Sequence, residues 1–326
     1  MAGITRWMAG WGVGLAALAS LSAMAQGYPN KPIRIVVPFA PGGGSDSIAR
    51  VISERLAKDW GQPVIVENRA GAGGSIGAEF VAKSPADGYT LLITDSSAVT
   101  INPYVYPKLG YAAKDFTPVV NLAVLTLVML VPVKSPINTV ADAVAADKAR
   151  PGSLNGASPG AGSSPHLMLE MMNSIAGTKL VHVPYKGGGP AMNDLVAGQV
   201  DFSFSGLSTQ AMSMVGGGKL KAVVVTTQAR SASLPDVPTL AESGYPGVDV
   251  YSAQSLLVPA GTPPEIVSKL NQEMVKILEA PEIKTRWKDW GFLPRPPQSA
   301  AQTGAWFAQE SNRWSKIIKE NNIVAE

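Results

Sequence analysis

Cysteine is absent from the 326-residue chain. That excludes structural disulfides, thiolate metal sites and a lipid-modified cysteine as membrane anchor. Histidine is nearly absent too. His166 and His182 stand 16 residues apart, with no H-E-x-x-H pattern and no carboxylate cluster, so no metal site and no metal cofactor is expected. Charge is sparse: 16% of residues are charged and the formal net charge is +3. No run of Lys and Arg interleaved with aromatics occurs, so a nucleic-acid partner is not expected. What the chain does have is 46% hydrophobic residues, 33 glycines and 26 prolines, the composition of a globular protein with many sharp turns.

Long apolar runs are few. The first, in MAGITRWMAGWGVGLAALASLSAMAQ, follows Arg6 and ends in Ala23, Met24 and Ala25, an A-x-A cleavage pattern. A signal peptide over residues 1–25 is expected, with the mature chain starting at Gln26 and exported to the periplasm. Its removal leaves 26 basic against 24 acidic residues, a net charge of +2. The second run, Val119 to Val133, is β-branched and shorter than the roughly 20 residues that span a bilayer, and reads as a buried strand.

Along the rest of the chain, apolar β-rich runs alternate with helical patterns. Residues 33–39, 64–68 and 89–95 read as strands, and 45–60 and 75–83 as helices, a βαβαβ unit with a parallel sheet. A second set follows the long strand: helices near 140–149 and 164–176 and from about 190, and strands at 179–185, 200–206 and 219–227. After Pro246 come a strand at 255–259 and an entirely helical tail, whose first helix is expected to be capped by Thr262 and started by Pro263. Two α/β lobes are expected. Residues 26–127 and 248–326 form the first and 128–247 the second, with a double crossing that makes a hinge.

Three glycine-rich turns each sit between a strand and a helix: PGGGS at 41–45, SPGAGSSPH at 158–166 and VPYKGGGPA at 183–191. Such turns leave backbone N–H groups and the positive end of a helix free for an anion. Nucleotide phosphate is excluded by sequence detail. GGGSD has no following Lys of a P-loop, and GAGGSIG (71–77) has Ile76 where a dinucleotide fingerprint needs Gly. GASPG (156–160) matches a nucleophile elbow around Ser158, yet Pro159 has no N–H for an oxyanion and no Asp lies between Ser158 and either histidine. A hydrolase using Ser158 is therefore the disfavoured alternative, and the chain is read as no enzyme. His166 is read as a packed or capping residue in preference to a general base. Ser45 is expected to cap a helix beginning at Asp46, with Asp46 and Arg50 paired four residues apart.

YPNKPIRIVVPFAPGGGSDSIAR, VIVENRAGAGGSIGAEFVAKSPADGYTLL, LNGASPGAGSSPHL, VHVPYKGGGPAMNDLVAGQVDFSFS, LPDVPTLAESGYPG and LLVPAGTPPEIVSKLN, in this order, resemble the substrate-binding proteins of tripartite tricarboxylate transporters, the Bug or TctC family. The resemblance covers essentially the whole mature chain. It implies a two-lobed periplasmic-binding-protein fold of the Venus flytrap, type II-like kind, with a cleft between the lobes. It further implies capture of a small carboxylate and delivery to a membrane transporter with one large and one small integral subunit. A sensing role toward a receptor kinase would use the same binding residues. Carried over position by position, the ligand set is Phe39, Ala40, Pro41, Gly42, Gly43, Gly44, Ser45 and Asp46 from the first lobe. Ser158, Gly160, Gly162, Ser163, Ser164, His166, Tyr185, Gly187, Gly188, Gly189, Pro190 and Ser205 come from the second. Ser205 and Gly206 are neutral where many members carry Asp and Asn, and Ala253 replaces a frequent Trp. The neutral pair favours a dicarboxylate or an aromatic carboxylate over an amino acid, and Ala253, with Tyr251 and Gln254 nearby, enlarges the cleft for an aromatic or branched acid.

Overall fold

The computed structural model describes residues 27–293, 296–321 and 323–324; the expected signal peptide lies outside them. No helix among the described residues is long and apolar enough to cross a membrane. The first unit runs β1 (Ile33–Val37), α1 (Gly44–Trp60), β2 (Val64–Asn68), α2 (Ser75–Ala82) and β3 (Thr90–Asp95). β1 pairs in parallel with β2 and β3, so that Ile35 lies between Val66 and Leu91. The βαβ pattern of the sequence dictates this, because a helix between two strands returns the chain to run in the same direction. Ile48, Val51, Ile52 and Leu56 form one buried face of α1 against this sheet, each contributing about 1.5–3 kcal/mol of burial.

Two short helices, α3 (Ser97–Thr100) and α4 (Asn102–Val105), lead to the 17-residue strand β4 (Phe116–Pro132). Its apolar run is buried almost throughout because it serves both lobes. The second unit is α5 (Val140–Ala149), β5 (Asn155–Ser158), α6 (Ser164–Ala176), β6 (Val181–Pro184), α7 (Gly188–Ala197), β7 (Phe202–Gly206), α8 (Thr209–Gly216) and β8 (Leu220–Val225). The chain returns through β9 (Tyr251–Pro259). The strand order is β2-β1-β3-β9-β4-β7-β5-β6, with β8 also on β4. The start of β4 pairs antiparallel with β9, and its end with β7 and β8. Register shifts after Pro118, Asn121 and Met129 let one strand follow two differently twisted sheet halves. The two crossings run side by side: Thr126 faces Tyr251, and the Thr226 N–H donates to the Leu127 carbonyl at 3.0 Å.

The tail holds α9 (Pro264–Glu279), α10 (Pro281–Asp289), β10 (Phe292–Leu293) and α11 (Ala300–Glu320). It is not entirely helical, since β10 pairs with Val124 and Leu125 of β4. α9 and α10 pack on the first core through Ile266, Leu270, Met274 and Ile283. α11 packs in two separate clusters. Phe307 packs beside Val36 and Leu257, while Trp314 and Ile318 lie with Leu127, Met129 and Val250. A helix of 21 residues is about 30 Å long and outreaches one lobe. Two caps also differ from expectation. α1 begins at Gly44 with Gly43 as an N-cap lacking a side-chain bond, and the Ser45 hydroxyl turns to Gln254. Pro263 is the N-cap of α9, and the Thr262 hydroxyl donates to the Pro259 carbonyl.

Candidate functional site

The glycine turns meet across the cleft. The first and third pack backbone to backbone: a Cβ on Gly189 would collide with the Pro41 carbonyl, and the Ala40 N–H donates to the Lys186 carbonyl. The second meets the 71–77 loop, where Gly73 faces the Ala161 carbonyl at a distance no side chain could share. Absent side chains thus let the turns touch across the cleft.

Between these contacts lies a cavity of about 50 Å³. Four helices direct their N-termini to its wall. α1 and α7 begin there behind the glycines Gly43 and Gly187, neither of which supplies a side-chain cap. α6 and α8 begin behind Ser163 and Ser208, whose hydroxyls accept the His166 and Ala211 N–H groups. Each terminus carries roughly half a positive charge and unpaired N–H groups. No Lys or Arg stands among the cavity's described lining residues. A larger groove of about 630 Å³ lies near Trp287, Lys288 and Phe292, and no residue of the three glycine turns lines it.

Of the residues named from sequence, Phe39, Gly43, Gly44, Ser45, Ser163, Gly188 and Ser205 line the cavity. The others are brought near it without lining it. Ala40, Pro41, Gly187, Gly189 and Pro190 form the contact between the lobes and the start of α7. Asp46 faces away, because its carboxylate receives the Gly42 N–H at 3.0 Å, Arg50 at 3.0 Å through both oxygens and Asn68 at 3.0 Å. Burial works to raise its pKa, but these donors outweigh burial and hold the carboxyl below its ordinary value. It locks the loop that ends in Gly44. The Tyr185 hydroxyl donates to Asp194 at 2.7 Å.

Ser158, Gly160, Gly162 and His166 form a second lock. The Ser158 hydroxyl meets His182 Nε2 at 2.7 Å and also bonds the Gly160 carbonyl and N–H, each at 3.1 Å. The Gly162 N–H donates to His166 Nδ1 at 3.0 Å, so that nitrogen carries no proton. The two imidazoles stack with centroids 3.9 Å apart. Burial, with His166 alongside, pushes His182 down from 6.5 to about 3. Ser158 is buried and followed by Pro159, so the serine–histidine pair holds a turn instead of presenting a nucleophile.

Sequence reasoning missed Asp95, Ser252 and Gln254, which complete the wall. Asp95 ends β3 and accepts the Ser97 N–H at 2.8 Å, the Ser164 hydroxyl at 3.0 Å and the Ser252 hydroxyl. Burial raises its pKa. Ser164 is the first residue of α6 and leaves the wall to meet this carboxylate. Only the pairing of β3 with β9 brings Asp95 beside Gln254, and no local pattern signals it. A single acidic residue ending an otherwise uncharged strand was the one available hint.

The description "tripartite tricarboxylate transporter family receptor" matches residues 48–323. Protein BugT of Bordetella pertussis is 36% identical, over 90% of this chain and 90% of its own. The structure of R. palustris Rpa4515 with adipate superposes with a TM-score of 0.87 at 34% identity, over 91% of this chain and 99% of that one. MatC from Rhodopseudomonas palustris with bound malate gives 0.85 at 34% identity, over 89% and 100%. The structure of periplasmic binding protein BugD superposes with a TM-score of 0.85 at 32% identity, over 92% of this chain and 100% of that one, so the fold is the two-lobed periplasmic-binding-protein fold and the chain is a binding protein, not an enzyme. A family match over most of the chain, with relatives similar along nearly their full length, establishes that the protein belongs to the tripartite tricarboxylate transporter receptor family, the TctC or Bug proteins.

Proposed function

We propose that this protein captures a small carboxylate in the cleft and delivers it to integral membrane transporter subunits, one large and one small. The observation that carries the reading is the convergence of four helix N-termini on a cavity wall without Lys or Arg. Such a wall holds a carboxylate through main-chain N–H groups, most directly those at the start of α1 and α7, where no side chain caps the helix. Similarity to proteins whose structures contain adipate and malate supports the same ligand class. The lobes, 26–127 with 248–326 and 128–247, hinge about the paired crossings, and the chain reaches the periplasm after cleavage behind Ala25.

A thermal-shift screen of mono-, di-, tri- and aromatic carboxylates against neutral sugars tests the ligand class. Ligand at 100 times Kd adds roughly 2.7 kcal/mol to the folded state, a readily measured rise in Tm. Stabilisation by sugars and by no carboxylate would sink the reading. Small-angle scattering at saturation should give a smaller radius of gyration, and the exported protein should have the intact mass of a chain starting at Gln26.

A further inference from the structure

Asp95 is the only titratable residue among the described residues lining the cavity, and it is 5% exposed. A carboxylate has about four lone-pair positions, and three are filled by the Ser97 N–H and the hydroxyls of Ser164 and Ser252. Oδ1 takes two of these donors and Oδ2 one, which leaves one acceptor position on Oδ2. The Ser164 hydroxyl at the start of α6 is thereby turned to a carboxyl of the protein itself. An incoming second carboxylate would meet the Asp95 carboxyl, which accepts from all three of these partners, with no Lys or Arg among the described lining residues to offset it.

The same carboxylate sets the direction of a chain of hydrogen bonds. Asp95 accepts from the Ser252 hydroxyl, and the Ser252 oxygen in turn accepts from Gln254 Nε2 at 2.8 Å. That fixes Gln254 Oε1 toward the Ser45 hydroxyl, which donates to it at 2.5 Å. Ser45 therefore offers the cavity lone pairs and no proton. At the α1 end Ser45 thus leaves the backbone N–H groups to hold an anion, and at the Asp95 end the carboxyl offers its open acceptor position.

Resting on the carboxylate reading above, we infer that the ligand is a monocarboxylate whose far end carries a hydrogen-bond donor, a hydroxyl, amide or ammonium group facing Asp95, and no second carboxylate. The neutral Ser205–Gly206 pair pointed away from amines; Asp95 supplies, from another strand, the acid that this pair lacks.

Calorimetry near pH 7.5 with two matched series tests this: succinate, succinamate, 4-hydroxybutyrate and 4-aminobutyrate, and the six-carbon equivalents from adipate to 6-aminohexanoate. The best donor-ended acid of a series should bind at least about tenfold more tightly than the diacid of the same length. In Asp95→Asn, which is nearly isosteric, the diacid should gain at least about tenfold on the donor-ended acids. A diacid that binds the parent protein as well as its donor-ended partners overturns the inference and leaves the carboxylate reading intact. An unchanged ratio in a folded Asp95→Asn protein overturns it too. Binding of no acid in either series sinks both. The parent series alone decides the matter should the variant not fold.

Discussion

The Ala40 N–H donates to the Lys186 carbonyl at 2.8 Å across the mouth of the cleft. Both groups are main chain, and the Lys186 side chain points to solvent. Closure is therefore a fit of backbone to backbone, which explains why glycine recurs on both sides.

Gly189→Ala should weaken ligand binding by about tenfold or more, because its Cβ would meet the Pro41 carbonyl only when the lobes are shut. Lys186→Ala should stay within about twofold. Calorimetry measures both, and scattering should find Gly189→Ala open at ligand concentrations that close the parent. Loss of binding in Lys186→Ala with none in Gly189→Ala would mean that a side-chain cation holds the anion.

Gly43→Val tests the anion site itself. A Cβ there would sit 3.6 Å from the Gly188 N, in the gap between the starts of α1 and α7. The added methyls fill that gap and cover the N–H groups. Losing one or two charge-assisted hydrogen bonds, roughly 1.5–3 kcal/mol each, predicts at least about tenfold weaker binding with an unchanged unfolding midpoint. Unaltered affinity would remove α1 from the binding site.

Asp46→Ala should cost about 2 kcal/mol in urea unfolding, since it orphans the Gly42 N–H and frees Arg50 and Asn68. Asp46→Asn should cost less. The Asp46 carboxyl is held below its ordinary value in the folded protein, so its contribution is present above pH 3.8 and lost as pH falls through the lowered value. The difference between parent and Asp46→Ala should accordingly shrink below pH 3.8. A loss of affinity without a loss of stability would instead give Asp46 a direct part in binding.

His182 gives the opposite acid–base case, a base whose pKa is depressed to about 3 by burial and by His166. The unfolded chain binds a proton there below pH 6.5 and the folded chain does not, so stability is complete above 6.5 and falls as pH drops toward 3. His182→Gln removes this slope while retaining a side chain that can bond Ser158. The stability difference between the two proteins, from urea midpoints at pH 4.5 and 7.5, should shift toward the variant at the lower pH. A constant difference would mean that His182 is protonated in the folded protein.

Legibility of the fold tracked the range of the interactions. The alternation of strands and helices, the buried run of β4, the Asp46–Arg50 pair and the position of each glycine turn follow from contacts within a few residues, so they could be read in one dimension. Helix caps were less legible, since the Ser45 hydroxyl had a distant competitor in Gln254 and took it. The candidate site divided the same way. Its glycine half was visible because turns require glycine locally. Its Asp95–Ser252–Gln254 half arises from the antiparallel pairing of β3 with β9, which joins residues 157 positions apart in Ser252 and Asp95. Sequence by itself determined the lobes' elements and the turns that could hold an anion. Tertiary structure alone decided that these turns face one another and that a buried carboxylate completes their wall, because burial and electrostatic neighbourhood are properties of the packed sheet and of no single segment.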